Sequence, residues 1–352
     1  MEEFEGKGTE TPATYCVTGA SGYIGSWLVK TLLERGGKVH ATVRDPAKCL
    51  HLSSLWTGSD RLRLFKADLN EEGSFDEAVK GCDGVFHVAA SMEFGVVVEE
   101  NIESYVQSNI INPAIQGTLN LLRSCAKSES VKRVVFTSSI STITAREING
   151  EWKPVVDESC QTPIDHVWST KASGWVYALS KLLTEEAAFR FATKNGIDLV
   201  SLITSTVGGP FLTSSVPSSI QVLLSPITGD PKFLSILSAV NARMGSIALI
   251  HIEDICRAHL FLMENAKAEG RYICCAKSCS LSKLFQHLAQ DYPCSNLQRC
   301  NFEEDDHNEV PPEISSKKLR DLGFIYKYGV EEIIHQAINA SIGYGFISPI
   351  GN

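Results

Sequence analysis

The stretch Val17-Thr18-Gly19-Ala20-Ser21-Gly22-Tyr23-Ile24-Gly25 follows an apolar lead-in and continues into residues 26–33, whose apolar positions recur at helical spacing. This pattern predicts a strand, a tight glycine turn and a helix. Glycines at every third position let the turn close, let backbone approach a pyrophosphate and let the helix pack near the strand, with its first N–H groups facing the phosphates. The stretch therefore predicts a dinucleotide site; the alternative is a glycine turn without a ligand.

Beyond this turn, strand-like apolar runs alternate with segments of helical periodicity to about residue 205. Such alternation predicts an α/β fold, a doubly wound (Rossmann-type) parallel sheet with helices on both faces and ligands at the carboxyl ends of its strands. A smaller C-terminal substrate-binding region is expected after it. The predicted strands are 39–44, 62–66, 84–90, 131–137 and 199–203, and the predicted helices begin at 74, span 109–127 and include 177–181.

The chain after residue 205 is richer in glycine and proline, with one helix candidate at 220–224. Such residues predict loops. A strand at 247–252, a helix at 254–262 and a strand at 270–275 follow. We expect residues 1–12 to form a flexible tail, residues 13–205 a nucleotide-binding Rossmann domain to which the segment around 246–264 returns, and residues 206–245 and 265–345 a substrate-binding region.

The composition is that of an ordinary globular protein, since 43% of its 352 residues are hydrophobic and 21% are charged. A net charge of -9 argues against nucleic acid as a partner, because nucleic-acid-binding proteins present clustered basic surfaces. The 11 cysteines are scattered without paired spacing, which predicts neither a disulfide framework nor a structural zinc site. The polar N-terminus and the lack of a run of roughly 18 apolar residues predict a cytoplasmic protein without an integral membrane segment, either a monomer or a weak homo-oligomer.

Two further motifs carry chemistry. The predicted strand at 131–137 ends in hydroxyl side chains, Ser138 and Ser139, at the edge of the sheet where ligands bind. Tyr177 and Lys181 lie four residues apart and therefore on one helical face. A lysine ammonium near the phenol is expected to lower the tyrosine pKa from about 10, which makes the tyrosine a proton donor and acceptor near neutral pH.

The glycine turn, the strand ending in serines and the Tyr-x-x-x-Lys motif, in this order, resemble the extended short-chain dehydrogenase/reductase family over essentially the full chain. The resemblance implies that Tyr177 protonates a carbonyl oxygen, that Ser139 holds this oxygen with Ser138 in reserve, and that Lys181 binds the nicotinamide ribose and tunes the tyrosine. It also implies a set of cofactor-binding residues: Gly19, Ser21, Gly22, Tyr23, Ile24 and Gly25 in the turn, Asp68 and Leu69 beside the adenine, Val88, Ala89 and Ala90 at the adenosine side, and Tyr177 and Lys181.

The end of the second predicted strand bears on the form of the cofactor. An acidic residue there would hold the ribose hydroxyls of NAD, whereas Arg44 can pair with a 2′-phosphate through two hydrogen bonds. Lys48 offers a second phosphate contact, whereas the acidic Asp45 next to Arg44 argues for NAD. We therefore predict NADPH/NADP+ as the cofactor and no metal.

Within the family, residues 42–46, 67–69, 81–89, 131–139 and 251–259 are similar to plant flavonoid reductases, the group of dihydroflavonol, anthocyanidin and vestitone reductases. Thr144 stands five residues after Ser139, where dihydroflavonol reductases carry an asparagine that reads substrate hydroxyls and anthocyanidin reductases carry threonine. The tail resembles the anthocyanidin reductases at 218–220, 227–229, 270–276 and 324–333. This implies a small phenolic substrate, an anthocyanidin reduced to a flavan-3-ol, with Thr144 as a substrate residue.

Three features depart from the pattern of that group: Gly25 is retained, Thr204 replaces a proline, and Ala90-Ser91 replaces threonine-proline. Other functions therefore stay open. One is a carbonyl reductase of the same family acting on a dihydroflavonol, an isoflavanone or an alkaloid, and another is a non-catalytic NADP-binding sensor. A sugar-nucleotide epimerase is disfavoured, because Arg44 indicates NADPH whereas such enzymes retain NAD.

His251, Glu253 and His259 could suggest a metal site. Their spacing does not place them on a single helical face, so packing or helix-capping roles are predicted instead.

Overall fold

The computed structural model describes residues 12–46, 60–90, 101–147, 149–293 and 312–349. Lys48 and residues 1–11 of the expected tail lie outside these ranges. The strands, in chain order, are β1 (Thr14–Thr18), β2 (Lys38–Val43), β3 (Leu62–Lys66), β4 (Gly84–His87), β5 (Arg133–Ser139), β6 (Val155–Val156), β7 (Leu199–Thr204), β8 (Thr206–Gly208), β9 (Ile247–His251), β10 (Gly270–Cys274), β11 (Lys277–Cys279) and β12 (Glu313–Ile314).

The helices agree in part with the sequence pattern. The helix predicted at 109–127 starts earlier, because a π-helical turn, Gln107–Ile111, joins two α-helices into one continuous element. The helices, in chain order, are α1 (Tyr23–Glu34), α2 (Asp76–Val79), α3 (Ile102–Val106), α4 (Asn112–Lys127), α5 (Ile164–Thr170), α6 (Trp175–Asn195), α7 (Ser218–Leu223), α8 (Ser225–Thr228), α9 (Pro231–Met244), α10 (Ile252–Glu264), α11 (Leu281–Asp291), α12 (Lys317–Asp321) and α13 (Val330–Gly343).

Seven parallel strands form the central sheet in the order β10-β7-β5-β4-β1-β2-β3. From β1 the chain proceeds outward through β2 and β3, and then crosses to β4 on the other side of β1. Ligands of such sheets bind in the crevice at the carboxyl ends of the strands, where the strand order reverses. The predicted doubly wound α/β fold is confirmed, and the reversal places this crevice at the glycine turn.

Both faces of the sheet are covered, which explains why an inner strand such as β5 is buried along its whole length. Val17 of β1 packs in one apolar cluster with Leu28 of α1. Its neighbour Cys16 faces the other side and packs with Leu121 of α4. The successive side chains of one strand thus fix two layers of helices.

A second apolar core lies in the part of the chain after residue 205. It contains Ile220 of α7, Leu237 of α9, Leu249 of β9 and Ile334 of α13. The helix predicted at 220–224 is present as α7, but the loops predicted around it are wrong over α9, which is 14 residues long. The prolines there include Pro231, which stands in the first turn of α9 after the capping residue Asp230, a position where proline favours a helix rather than breaking it.

Two strands of the second half lie in places that local sequence did not reveal. β9 pairs with β8 and β11 in a separate three-stranded sheet, whereas α10, which follows it, packs against α1. β10 lies within the range 265–345 but pairs with β7 as an edge strand of the central sheet. The expected boundary at residue 265 therefore does not coincide with the edge of the sheet, and the functional division of the chain stays a prediction.

None of the helices in the described ranges is long and apolar enough to cross a lipid bilayer.

Candidate functional site

The glycine turn is shaped by backbone contacts that exclude side chains. Gly19 has a φ of +65°, and a Cβ built there would lie 2.9 Å from the Cα of Ala89. A Cβ at Gly25 would lie 2.2 Å from the carbonyl oxygen of Gly19. Gly22 donates its N–H to that same oxygen at 2.9 Å and begins α1 without a side-chain cap. Because the N-cap residue of α1 is a glycine, no side chain at that position caps the first N–H groups of the helix. This arrangement fits a pyrophosphate.

The other predicted residues of the turn take different positions. Ser21 is half-buried beside the exposed Gly22. Tyr23 and Ile24 form the first turn of α1. The Tyr23 hydroxyl donates to the carbonyl oxygen of Gly209 at 3.1 Å, so this side chain connects the turn to the second half of the chain.

A buried hydrogen-bond chain supports the turn from below. Thr18 Oγ1 accepts from the N–H groups of Val88 and Ala89 at 3.1 and 3.0 Å, and so gives its own proton to His87 Nδ1 at 2.9 Å. His87 Nε2 then donates to Thr118 Oγ1 at 3.0 Å. Burial lowers the pKa of His87 to about 3, which keeps this ring neutral and its donor and acceptor roles fixed. Val88 and Ala89, both predicted cofactor residues, are thereby held against Gly19; sequence reasoning missed Thr18 and His87.

The remaining predicted cofactor residues follow the carboxyl ends of neighbouring strands. Arg44 is exposed directly after β2, and Ala90 is exposed after β4. Asp68 and Leu69 follow β3; Asp68 Oδ1 accepts from the N–H of Asn70 at 2.9 Å, and Leu69 packs against Gly117 of α4. All of these residues lie along one edge of the sheet, as expected for a nucleotide lying across it.

Ser139, Tyr177 and Lys181 come together at the end of β5. Ser139 is the last residue of β5 and shares a side-chain hydrogen bond with Tyr177 of α6. Lys181, one turn later, donates from Nζ to the carbonyl oxygen of Thr137 at 2.8 Å. Ser138 points to the opposite face of the sheet, and its buried hydroxyl has no hydrogen-bond partner among the described residues. The geometry thus favours Ser139 over Ser138 as the partner of the tyrosine.

Burial has the largest effect on the pKa of Tyr177 in this structure, and the expected lowering of that pKa by Lys181 stays a prediction. Burial raises the pKa of Tyr177, and the groups that act against this rise are Ser139, through its hydrogen bond, and the charge of Arg243. Burial also lowers the pKa of Lys181 to about 8, an effect that Glu185 opposes. Among the described residues, Arg243 is a cation whose charge acts on the phenol, and sequence reasoning did not select it.

A buried ionic network fixes the helix that carries Tyr177 and Lys181. Glu185 of α6 accepts a short hydrogen bond from Ser201 of β7 and pairs with Arg271 Nη2 at 3.1 Å. The same nitrogen of Arg271 donates to Thr142 Oγ1 at 2.9 Å, just after Ser139. Because Arg271 belongs to β10, the edge strand of the sheet takes part in positioning the helix that carries Tyr177 and Lys181.

Thr144, the predicted substrate residue, is 7% exposed and uses its hydroxyl within the protein. Its Oγ1 accepts from the N–H of Arg146 at 3.2 Å and donates to the carbonyl oxygen of Arg243 at 3.5 Å. The N–H of Ala145 donates to the same carbonyl at 3.2 Å. Thr144 therefore anchors the end of α9, and a role in substrate binding stays a prediction.

His251 and His259 take the predicted capping and packing roles. His251 Nδ1 accepts from the N–H of Glu253 and caps α10. His259 Nδ1 donates to the carbonyl oxygen of Ile255 at 2.8 Å, so its Nε2 accepts from Thr137 Oγ1 at 2.8 Å. Within the described ranges, His, Cys, Asp and Glu side chains form no cluster suited to a metal ion.

Comparison with known proteins agrees with this architecture. A model of the NAD dependent epimerase/dehydratase family matches residues 15–275. The chain is 47% identical to a Ginkgo biloba protein whose name assigns it provisionally to the anthocyanidin reductases, over 92% of this chain and 93% of that protein. It is 44% identical to dihydroflavonol 4-reductase of Arabidopsis thaliana, over 95% of this chain and 84% of that protein. Vestitone reductase from alfalfa (Medicago sativa) superposes with a TM-score of 0.77 at 32% identity, over 95% of this chain and 99% of that one.

Proposed function

Because the chain belongs to the NAD dependent epimerase/dehydratase family, we propose that it is an NADPH-dependent reductase of plant flavonoids. The first activity to test is the reduction of an anthocyanidin to a flavan-3-ol. One observation carries the proposal: Ser139, Tyr177 and Lys181 meet at the end of β5, on the same edge of the sheet as the glycine turn. The named activities of the relatives support the substrate class, since they act on anthocyanidins, dihydroflavonols and vestitone.

The cofactor is assigned to residues along the edge of the sheet. The turn from Gly19 to Gly25 and the N-terminus of α1 would hold the pyrophosphate, and Arg44, with Lys48, would hold the 2′-phosphate that distinguishes NADPH. Asp68 and Leu69 would flank the adenine, and Val88, Ala89 and Ala90 the adenosine side of the bridge, with Lys181 on the nicotinamide ribose. When bound, the reduced nicotinamide supplies the hydride.

The protein supplies position and a proton. Tyr177 would give its phenolic proton to the substrate oxygen while Ser139 donates a hydrogen bond to that oxygen. Lys181, held by the carbonyl of Thr137, would fix the ribose beside them. An anthocyanidin is already cationic, so its reduction depends less on this proton than the reduction of a neutral ketone does.

A second candidate is a carbonyl reductase of the same family with a dihydroflavonol, isoflavanone or alkaloid substrate. The 44% identity to a dihydroflavonol 4-reductase and the likeness to vestitone reductase favour it. Thr144 bears on the choice, because its hydroxyl is occupied by backbone groups and is not free to read substrate hydroxyls as an asparagine side chain would. Residues 206–245 and 265–345 are proposed to form the substrate-binding region in either case.

The test is incubation of the purified chain with NADPH and cyanidin, dihydroquercetin or vestitone, followed by chromatography of the products. We expect a flavan-3-ol from cyanidin. Turnover of dihydroquercetin or vestitone without cyanidin would select the second candidate. NADPH bound at one equivalent with no turnover of any substrate would instead indicate a sensor.

We also propose that the chain acts in the cytoplasm, as a monomer or weak homo-oligomer, on small phenolic molecules and not on nucleic acid. The eight cysteines in the described ranges are buried and free, as expected in a reducing compartment. Sedimentation at several concentrations and imaging of a fluorescent fusion in plant cells test these two points.

A further inference from the structure

Arg243 is carried by the last turn of α9, and this helix end is fastened to the segment after Ser139. Its carbonyl oxygen accepts from Ala145 N–H at 3.2 Å and from Thr144 Oγ1 at 3.5 Å. Arg146 Nε donates to the carbonyl oxygen of Ala242 at 3.1 Å. Three consecutive residues thus hold the end of α9, so the position of Arg243 relative to the end of β5 is fixed by the fold.

Arg243 is half-buried, and one nitrogen of its guanidinium has no partner among the described residues. Its Nε is buried and has no hydrogen-bond partner among the described residues. Burial lowers the pKa of Arg243 to about 10, and the group that opposes this change is the phenol of Tyr177. Desolvation of a cation is costly. The cost is offset if the neighbouring group becomes negative during the reaction.

The other charged groups around Tyr177 are engaged elsewhere. Lys181 and Glu185 lie on its own helix, where Lys181 donates to the Thr137 carbonyl and Glu185 pairs with Arg271 of β10. His87 of β4 is neutral, because burial and the charge of Lys181 lower its pKa. Ser139, from the end of β5, shares a neutral hydrogen bond with the phenol. Within the part of the chain that the structure describes, Arg243 is therefore the cation from another element that acts on Tyr177.

We propose that Arg243 is a positioning residue for proton transfer, whose guanidinium, carried to Tyr177 by the end of α9, stabilises the phenolate that the tyrosine becomes. The inference rests on the proposed function, because it takes Tyr177 as the acid. With a neutral ketone substrate, the carbonyl carbon gains a hydride as NADPH is oxidised to NADP+, the carbonyl oxygen gains the phenolic proton, and solvent returns a proton to Tyr177. Arg243 acts at the stage at which the tyrosine carries the negative charge.

The test removes the charge of Arg243 and follows the ionisation of Tyr177 directly. Ultraviolet difference titration of each protein against its own Tyr177→Phe version isolates the tyrosinate absorbance of this residue, with NADP+ bound and no substrate. The proteins are wild type, Arg243→Gln, Arg243→Lys and Arg146→Gln. The last is the matched control, because it loosens the same helix end without removing the charge beside Tyr177.

We expect Arg243→Gln to move the ionisation of Tyr177 upward by about one pH unit and to lower kcat about tenfold. The pH at which the rate of alcohol oxidation by NADP+ rises should move upward with it. Arg243→Lys keeps the charge and should restore most of both values, and Arg146→Gln should change neither. If Arg243→Gln does not fold, Arg243→Met, which keeps the length of the side chain, takes its place.

Unchanged titration of Tyr177 in the uncharged variant would overturn the inference, as would an equal shift in Arg243→Lys or Arg146→Gln. The titration needs no turnover. A wild type that reduces none of the flavonoids would thus defeat the proposed function, whereas an unshifted titration in an active enzyme would defeat the role of Arg243 alone.

Discussion

At the glycine turn, backbone atoms fill the space: a Cβ at Gly25 would lie 2.2 Å from the Gly19 carbonyl oxygen, and the first N–H groups of α1 lie beside it. Around Tyr177, by contrast, the site is assembled from side chains of separate elements, Ser139 of β5, Lys181 of α6 and Arg243 of α9. The first site depends on the lack of a side chain at glycines within nine consecutive residues. The second depends on charges that only tertiary contacts bring together. Substitutions in the two sites should therefore affect different properties of the protein.

The largest effect is expected at the assembled site. Tyr177→Phe removes the proton donor and keeps the ring, so kcat with a neutral carbonyl substrate should fall about 10²–10⁴-fold while NADPH affinity stays nearly constant. Steady-state kinetics and an NADPH fluorescence titration measure the two quantities. Tyr344→Phe is the control, because its hydroxyl bonds to the Ser214 carbonyl at the surface. Full activity of Tyr177→Phe on a ketone would contradict the proposed acid.

The next effect is expected at the glycine turn, where a substitution should reduce cofactor affinity and stability. Gly25→Ala pushes the Gly19 carbonyl out of place, so NADPH affinity should fall about tenfold and the free energy of unfolding by about 1–3 kcal/mol. Gly343→Ala, at the end of α13, has nothing within 4 Å of the added methyl and should be neutral or slightly stabilising. Urea unfolding of both variants measures the free energy of unfolding, and NADPH titration measures the affinity for the cofactor. Equal behaviour of the two variants would show that the turn tolerates a side chain.

Acid should weaken both regions, because each contains one buried neutral histidine. Burial lowers the pKa of His87, below the glycine turn, to about 3 and that of His259, below the catalytic strand, to about 4. Unfolded histidines take up a proton near pH 6.5, so stability is complete above that pH and is lost as the pH falls toward these values. The loss should be about 1.4 kcal/mol per pH unit for each histidine.

Urea unfolding at pH 7 and pH 5 measures this loss. His87→Asn and His259→Asn should each reduce the pH dependence, whereas substitution of the exposed His166 should leave it unchanged. The buried His40 and His251, whose pKa values burial also lowers, should account for a further part of it. A pH dependence that is undiminished by the loss of His87 and His259 would assign it to other groups.

The smallest effect is expected at Arg44, which is exposed at the adenosine end of the nucleotide edge. Arg44→Ala should lower kcat/KM for NADPH about tenfold and leave kcat/KM for NADH unchanged, because exposed charge pairs are weak even when they form two hydrogen bonds. Arg63→Ala, an exposed arginine within β3, is the control. An equal loss with both cofactors would assign Arg44 a structural role instead of phosphate recognition.

The sequence predicted the first region well because its signals are local. The turn, its strand and its helix occupy consecutive residues, and the alternation of strands and helices specifies the doubly wound sheet. Ser139, Tyr177 and Lys181 could be selected because their spacing follows strand and helix geometry.

What could not be predicted depends on contacts between distant segments. Arg243 stands in a segment whose prolines indicated loops, and Pro231 becomes helix-compatible only at the first turn of α9. The sequence around Arg243 does not indicate that this residue approaches Tyr177. The sequence around Thr144 does not indicate that its hydroxyl donates to a carbonyl oxygen at the end of α9. The place of β10 in the central sheet likewise depends on pairing with β7 across more than sixty intervening residues.

The pairing of β10 with β7 also determines when the central sheet can be completed during synthesis of the chain. A nascent chain that has emerged only as far as residue 205 already contains six of the seven central strands, but the outer edge of β7 is then unpaired and Glu185 has no Arg271. Unpaired strand edges recruit other chains. The ribosome must therefore release β10 before the nucleotide-binding half is closed, so this half matures only after about half of the chain beyond residue 205 has been synthesised.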